Sequence, residues 1–301
     1  MSFTGTGDNA PVTDHQRGLL LGTIGVLVII PDATLIRLVD APSLTNAMWR
    51  TGLLGITISV FLALRYRGTL PSVLASLGIW GLVASVWSAV GTVLFVGAVD
   101  RTSVANVLLI LALSPMWAAL LSRIFLGERV ARRTLVAMPI AVVGVAIAVG
   151  ASVQGDLNSG DVLALALSVG LAINMTIIRA RGHVDMVPTT AIGGFIGCGT
   201  LALVGTSPDL SDGDLVPILV LGLVVLPVAM GCLTAAARYL SSPETTLLLL
   251  GETAASPILA ALVVDEPLPR LTVVGGAVVV ATLVVHGWAG LRTAPPAKMP
   301  V

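Results

Sequence analysis

Residues 103–125 read SVANVLLILALSPMWAALLSRIF, and Arg123 is the only charged residue among these 23. A helix needs roughly 20 mostly apolar residues to cross the hydrocarbon core of a bilayer, whereas a barrel strand needs only about 9–11 of alternating polarity. The stretch is therefore predicted to be a membrane-spanning helix. Comparable runs predict nine further spans, near residues 18–39, 43–64, 73–97, 133–151, 161–179, 186–206, 215–237, 244–264 and 271–290.

The composition of the 301-residue chain supports an all-α polytopic membrane protein. Hydrophobic residues make up 56% and charged residues 11%, compared with roughly 25% charged residues in a soluble domain. The 16 basic and 16 acidic residues cancel, which argues against nucleic acid as a partner. Cys198 and Cys232 lie inside apolar runs, and the three histidines are far apart in the sequence. Neither a disulfide framework nor a metal site is predicted, and no cofactor is expected.

The basic residues predict the orientation of the spans. With the N-terminus in the cytoplasm, twelve Arg and Lys residues lie at inner ends of spans, and only Arg37, Arg101 and Arg270 lie at outer ends. This excess is the positive-inside pattern of membrane proteins. Both tails, residues 1–17 and 292–301, are therefore expected in the cytoplasm of a bacterial cell, with the spans in its inner membrane. The first apolar run is too long for a cleaved leader and is expected to remain as a span.

The two halves of the chain resemble each other. LGER at 126–129 aligns with VDEP at 264–267 at an offset of 138, and Ile36-Arg37 aligns with Ile178-Arg179 at an offset of 142. Because a repeat of five spans crosses the membrane an odd number of times, the two repeats must run in opposite senses. Inverted repeats of this kind are typical of secondary transporters. The predicted repeats are residues 18–152 and 160–291.

Short motifs recur at matching places in the two halves. SPMWAALL at 114–121 is followed by LGE at 126–128, and PDATLIR at 31–37 is followed by Trp49-Arg50. In the second half, Glu252-Thr253 precedes Ser256-Pro257 and Asp265-Glu266-Pro267. These motifs resemble the EamA family of the drug/metabolite transporter superfamily, the second copy in the form seen in YddG-like members. The second copy departs from the first in having Asp265 where Gly127 stands, and little consequence is expected because this position ends a span.

The resemblance covers essentially the whole chain and implies both the fold and the activity. It implies ten spans arranged as two inverted five-helix repeats, with both termini inside the cell. It also implies export of amino acids, other metabolites or drugs, generally with coupling to an ion. The motifs do not distinguish among these substrates.

Two ionisable residues deep inside the predicted spans, Asp32 and Glu252, are candidate pathway residues, since a charge at the bilayer centre costs about 2.5–3.5 kcal/mol on insertion scales. Asp32 follows Pro31 in the first span and could bind a proton or a substrate amine; alternatively it caps the helix break or pairs with Arg50. Glu252, in the ninth span, could carry a proton or form an interhelical hydrogen bond as a neutral acid. Arg50 is expected to be a structural charge with an acidic partner.

Neutral polar and aromatic residues lie at similar depth. Asn174 superposes on Asp32 in the repeat, and Ser114 superposes on Glu252. Together with Asn106 they could line the pathway or act only as contacts between helices. Trp87 is too central in its span for an interfacial anchor and is expected to line a cavity. The repeat pair Arg37 and Arg179 is expected to be structural, because both residues lie at span ends where their charges can reach the interface.

The function predicted from these features is secondary-active export of a small molecule by alternating access, coupled to a proton or another ion. A lipid flippase and an uncoupled facilitator or channel of the same fold are the alternatives. A membrane-embedded enzyme is less favoured because the sequence has neither a metal cluster nor a nucleophile with a base. The absence of a Walker loop argues against direct ATP drive. A monomer is expected, with a dimer as the alternative.

Overall fold

The computed structural model describes residues 13–99, 101–102, 104–149, 158–263 and 270–292, and these residues form helices and turns without a strand. The helices are α1 (Asp14–Ile29), α2 (Asp32–Arg37), α3 (Ser43–Tyr66), α4 (Leu70–Val99), α5 (Val104–Leu111), α6 (Ser114–Phe125), α7 (Arg132–Val149), α8 (Ser159–Ala180), α9 (Val187–Leu203), α10 (Leu215–Val220), α11 (Leu226–Ala236), α12 (Ser242–Val263) and α13 (Arg270–Arg292). A π-helical turn, Leu221–Val225, joins α10 to α11.

Both halves begin with a helix whose first turn is closed by a capping box. In α1, Thr13 Oγ1 accepts from the Gln16 N–H at 3.3 Å, and Gln16 Oε1 accepts from the Thr13 N–H at 2.8 Å. In α8, Asn158 Oδ1 accepts from the Asp161 N–H at 3.2 Å, and Asp161 Oδ2 accepts from the Asn158 N–H at 3.0 Å. Each box satisfies two of the N–H groups that a helix start leaves without partners.

Four of the predicted spans are interrupted rather than continuous, among them the third span, in which Gly78 of α4 has a non-helical φ of 57° and ψ of −160°. The first span breaks into α1 and α2 at Ile30-Pro31, because proline has no N–H to continue the helical ladder. The fourth span breaks into α5 and α6 at Ala112-Leu113, and the eighth contains the π-helical turn. Interruptions within membrane helices expose backbone groups at depth, which is tolerated only where protein or water satisfies them.

The helices of the two halves pack in matching pairs. The second predicted span, α3, packs on the seventh, α9, and the fifth, α7, packs on the tenth, α13. Other contacts come in pairs that exchange the two halves. Helix α1, in the first span, packs on α11, in the eighth, and the corresponding helices of the opposite halves, α8 in the sixth span and α4 in the third, pack on each other. This exchange is the relation that a pseudo-two-fold axis between two five-helix repeats produces.

Large apolar side chains cover the outside of the bundle. Leu203 is 90% exposed, and Leu64, Phe125 and Leu262 are also largely exposed. A monomeric soluble protein rarely exposes apolar area on this scale, whereas lipid tails accept it. Among the described residues, six helical stretches are long and apolar enough to cross a membrane: Asp14–Ile36, Ser43–Phe95, Val107–Phe125, Ser159–Ala180, Leu215–Ala236 and Arg270–Ala289. The all-helical membrane fold is confirmed, and the number of ten spans remains a prediction.

Candidate functional site

A salt bridge lies at the break in the first predicted span. Asp32 occupies the first turn of α2, directly after Pro31, and is 8% exposed. The Arg50 Nη2 atom, on α3, donates to Asp32 Oδ1 at 2.7 Å and to Oδ2 at 2.9 Å. Arg50 therefore has the acidic partner that its position in a span required. The break turns the carboxylate toward α3, so that one guanidinium nitrogen reaches both of its oxygens.

Glu252, on α12, lies beside this pair. Its carboxylate is close enough to interact electrostatically with Asp32 and Arg50. It makes no hydrogen bond within the described part of the chain and is partly exposed. One helical turn further along α12, Ser256 Oγ donates to the Ile30 carbonyl at 3.1 Å. This hydrogen bond satisfies a carbonyl freed by the helix break and holds α12 against it.

The site thus contains one guanidinium and two carboxylates within mutual electrostatic reach. Since Asp32 is already neutralised by Arg50, Glu252 is the group whose charge is not balanced by a bonded partner. An uncompensated carboxylate inside a membrane protein can take up a proton or a cation. The arrangement can also bind both ends of a zwitterion, with the guanidinium taking a carboxylate and Glu252 taking an ammonium group.

An uncharged version of the same site lies at the position related to it by the repeat, and it also combines residues of both repeats. Asn174, on α8, corresponds to Asp32, and its Oδ1 atom is buried without a hydrogen-bond partner among the described residues. Ser114, the first residue of α6, corresponds to Glu252 and is buried. Helix α6 packs on α8 as α12 packs on α1 and α2. Each of the two equivalent positions thus combines polar groups of both repeats, and only the position that holds Asp32 and Glu252 is charged.

Trp87, on α4, packs directly against α8. A Cβ atom built on Gly170 would lie 1.3 Å from Trp87 Cζ2 and 1.9 Å from Cε2, so the indole occupies the space that the glycine leaves. Trp87 is partly buried rather than enclosed. The side chain is therefore fixed between α4 and α8, and its predicted role in lining the pathway remains a prediction.

Two of the predicted residues lie where the structure gives no description of side chains. Asn106 belongs to α5 and Arg37 to α2, and their side chains are outside the described part. The same applies to the second copy of the turn motif at 265–267. Arg179, the repeat partner of Arg37, is described: its Nε donates to Glu128 Oε1 at 3.1 Å and its Nη1 donates to the Arg238 carbonyl at 2.7 Å.

A second polar cluster was missed by the sequence analysis, which treated the histidines as scattered. Arg133 Nη2 donates to Glu244 Oε1 at 3.1 Å, and the same nitrogen lies 3.4 Å from His15 Nε2. His286, which is 5% exposed, places Nε2 3.9 Å from the same Glu244 oxygen. The cluster joins the starts of α1, α7 and α12 to the end of α13. One indication of this cluster was available in the sequence, because the predicted topology places these four helix ends on the same side of the membrane.

The comparisons with known proteins agree with this architecture. A solved crystal structure superposes with a TM-score of 0.77 at 16% sequence identity, covering 92% of this chain and 99% of that chain, which supports the fold alone. The search of curated proteins gave no match. A profile of the EamA-like transporter family matches residues 17–150 and again 158–287. The two repeats inferred from the sequence are thus two copies of one family domain, and the chain belongs to the EamA-like transporter family.

Proposed function

We propose that the protein is a secondary-active exporter of small zwitterionic metabolites, with amino acids as the first class to test. Membership of the EamA-like transporter family establishes a membrane transporter in general terms. The substrate class rests on one observation, the joint presence of Arg50, Asp32 and Glu252 at the break between α1 and α2. An amino acid offers a carboxylate and an ammonium group, and these match the guanidinium and the unpaired acid.

The proposed mechanism is alternating access coupled to proton antiport. With the site open to the cytoplasm, ionised Glu252 holds the substrate ammonium group, and the substrate carboxylate competes with Asp32 for Arg50. After the change of access, a proton from the outside neutralises Glu252 and releases the ammonium group. The empty site then returns to the cytoplasmic side with Glu252 protonated and therefore carries no excess charge. This neutrality lowers the free energy needed to move the empty site through the low-dielectric interior.

The test is flux into and out of proteoliposomes for a panel of amino acids, related metabolites and cationic drugs, with and without an imposed pH gradient. We expect gradient-dependent flux of zwitterions, and loss of the gradient dependence in Glu252→Gln. Asp212→Asn, which makes the same change at an exposed acid, is the matched control. Glu252→Gln protein that pumps normally would remove Glu252 from the mechanism.

The remaining outcomes separate the alternative functions. Zwitterion flux that ignores the pH gradient in wild type would indicate a facilitator or channel. Movement of fluorescent phospholipids between leaflets, with no flux of water-soluble compounds, would indicate a flippase. Transport confined to cationic drugs would retain Glu252 as the binding acid and remove the role proposed for Arg50.

A further inference from the structure

A cavity of about 530 Å³ opens between α7 and α13, away from the Asp32–Arg50 site. It extends from Arg132 and Ala289, at one end of the two helices, to Ile140 and Ala281. These residues lie eight positions apart on each helix, which corresponds to about 12 Å of helix length. The cavity is therefore a groove that runs along the helices from the membrane surface into the apolar layer.

The chemistry of the groove changes along its length. Arg132 and Arg133 lie at its mouth, and Val136, Ile140 and Val285 line its deeper part. None of the lining residues is an acid. The hydroxyl of Thr282 is already used, since it donates to the Val278 carbonyl at 2.7 Å. The deeper part thus offers an apolar wall, while the mouth is cationic.

The two arginines at the mouth differ in how they are engaged. Arg133 donates to Glu244 at 3.1 Å and to the Ala289 carbonyl at 3.4 Å, so much of its guanidinium is committed within the protein. Arg132 is exposed and makes neither a hydrogen bond nor an ion pair within the described part of the chain. The mouth therefore presents one uncompensated guanidinium at the membrane surface.

We propose that this groove binds one anionic phospholipid, with its phosphate on Arg132 and an acyl chain along Val136, Ile140 and Val285. Charge complementarity selects the head group, because a basic mouth between membrane helices is a recurring site for anionic lipid. A water-soluble anion would leave the 12 Å apolar part of the groove, estimated from the helical rise, without an occupant. A second copy of the chain is disfavoured because a two-fold contact here would bring two Arg132 side chains together at the same depth.

Native mass spectrometry of the purified protein tests the proposal, with phosphatidylglycerol and phosphatidylcholine of identical acyl chains added in detergent. We expect preferential retention of phosphatidylglycerol. Because one basic residue near an anionic lipid surface changes affinity by about fivefold, Arg132→Ala should weaken phosphatidylglycerol binding by about that factor. The effect on phosphatidylcholine should be smaller, because its choline group offsets the charge of its phosphate. Arg129→Ala, at an exposed arginine outside the groove, is the matched control and should behave as wild type.

Ile140→Trp fills the apolar part of the groove and should abolish retention of lipid. Val136→Trp, nearer the mouth, repeats this test if the first variant does not fold. Equal retention of the two lipids by wild type, or equal effects of Arg129→Ala and Arg132→Ala, would overturn the proposal. So would a dimer that Ile140→Trp converts to monomer, because the groove would then seat a second copy of the chain.

Discussion

Glu128 and Arg179 form a salt bridge of 3.1 Å that joins the turn after α6, in the first repeat, to the last turn of α8, in the second. Both side chains are about one-third exposed, at 31% and 28% respectively. An ion pair of this exposure contributes about 0–1 kcal/mol. It is therefore a weak link between the repeats at the predicted cytoplasmic face, and a weak link can break when that face opens.

Glu128→Gln should favour opening of this face. Loss of an ion pair worth up to about 1 kcal/mol changes an opening equilibrium by up to about fivefold. The measurement is the rate of maleimide labelling of a cysteine introduced at Gly182, in a background without Cys198 and Cys232. Arg123→Gln, at an exposed arginine on α6, is the control. Unchanged labelling in Glu128→Gln would show that the pair does not restrain the face.

The buried pair of Asp32 and Arg50 gives a test that separates stability from transport. Asp32→Asn or Arg50→Gln alone leaves one charge without its partner, which costs about 3–5 kcal/mol at a buried site. The double variant removes both charges and should recover most of the thermal stability of the detergent-solubilised protein. Transport should remain absent in the double variant. Recovery of gradient-driven flux would assign the pair a structural role only.

The contact between Trp87 and Gly170 predicts a compensating pair of substitutions. Gly170→Ala inserts a methyl group where the indole lies, and overpacking of this kind costs about 1–3 kcal/mol. Trp87→Phe combined with Gly170→Ala should recover stability, because the smaller ring leaves room for the methyl group. Thermal unfolding measures the effect, and Gly199→Ala, where a Cβ meets nothing within 4 Å, is the control. A stable Gly170→Ala single variant would contradict the packing.

Asp214, outside the predicted spans, should make stability depend on pH in acid. The Asp40 N–H donates to its Oδ1 at 2.8 Å and the Ser211 N–H to its Oδ2 at 3.1 Å. These bonds, that from Asp40 foremost, hold the pKa of Asp214 below its usual value. Folding therefore favours the ionised form, and the resulting stability is full above the unfolded pKa of about 3.9 and is lost as pH falls through the lower folded value.

Asp214→Asn should reduce this loss of stability in acid. The measurement is the unfolding temperature of the variant and of wild type between neutral pH and about pH 3, a range that brackets the unfolded pKa. Asp212→Asn, at an exposed acid two residues away, should keep the wild-type profile. If Asp214→Asn and wild type lose stability in parallel, the hydrogen bonds from Asp40 and Ser211 do not control the acid response.

The sequence predicted the features that follow from apolar runs and from the constant spacing between repeated motifs. The apolar runs identified the helical membrane fold, and the offset of 142 between Ile36-Arg37 and Ile178-Arg179 revealed the repeat that the family profile matches twice. The need of Arg50 for an acidic partner followed from the cost of burying a lone charge. Each of these conclusions requires only the chemistry of one segment or the comparison of two.

Features that depend on the rotation of several helices could not be predicted. Glu244, Arg133, His15 and His286 lie on four different helices, and no spacing in the sequence relates them. The contact of Trp87 with Gly170 likewise depends on how α4 and α8 turn toward each other. Helix rotation is set by packing between small and large side chains, which a single sequence does not specify.

The charged site of Asp32 and Glu252 and its neutral counterpart of Asn174 and Ser114 make the two access states of the proposed transport cycle inequivalent. If both repeats carried the same polar groups, exchanging their conformations would regenerate the same structure upside down, and the two access states would have equal free energy. Asn174 in place of an aspartate, and Ser114 in place of a glutamate, remove this degeneracy. In the proposed cycle the protein can therefore rest preferentially open to one side even without a substrate or an ion gradient, and Asn174 and Ser114 are among the residues that set this preference.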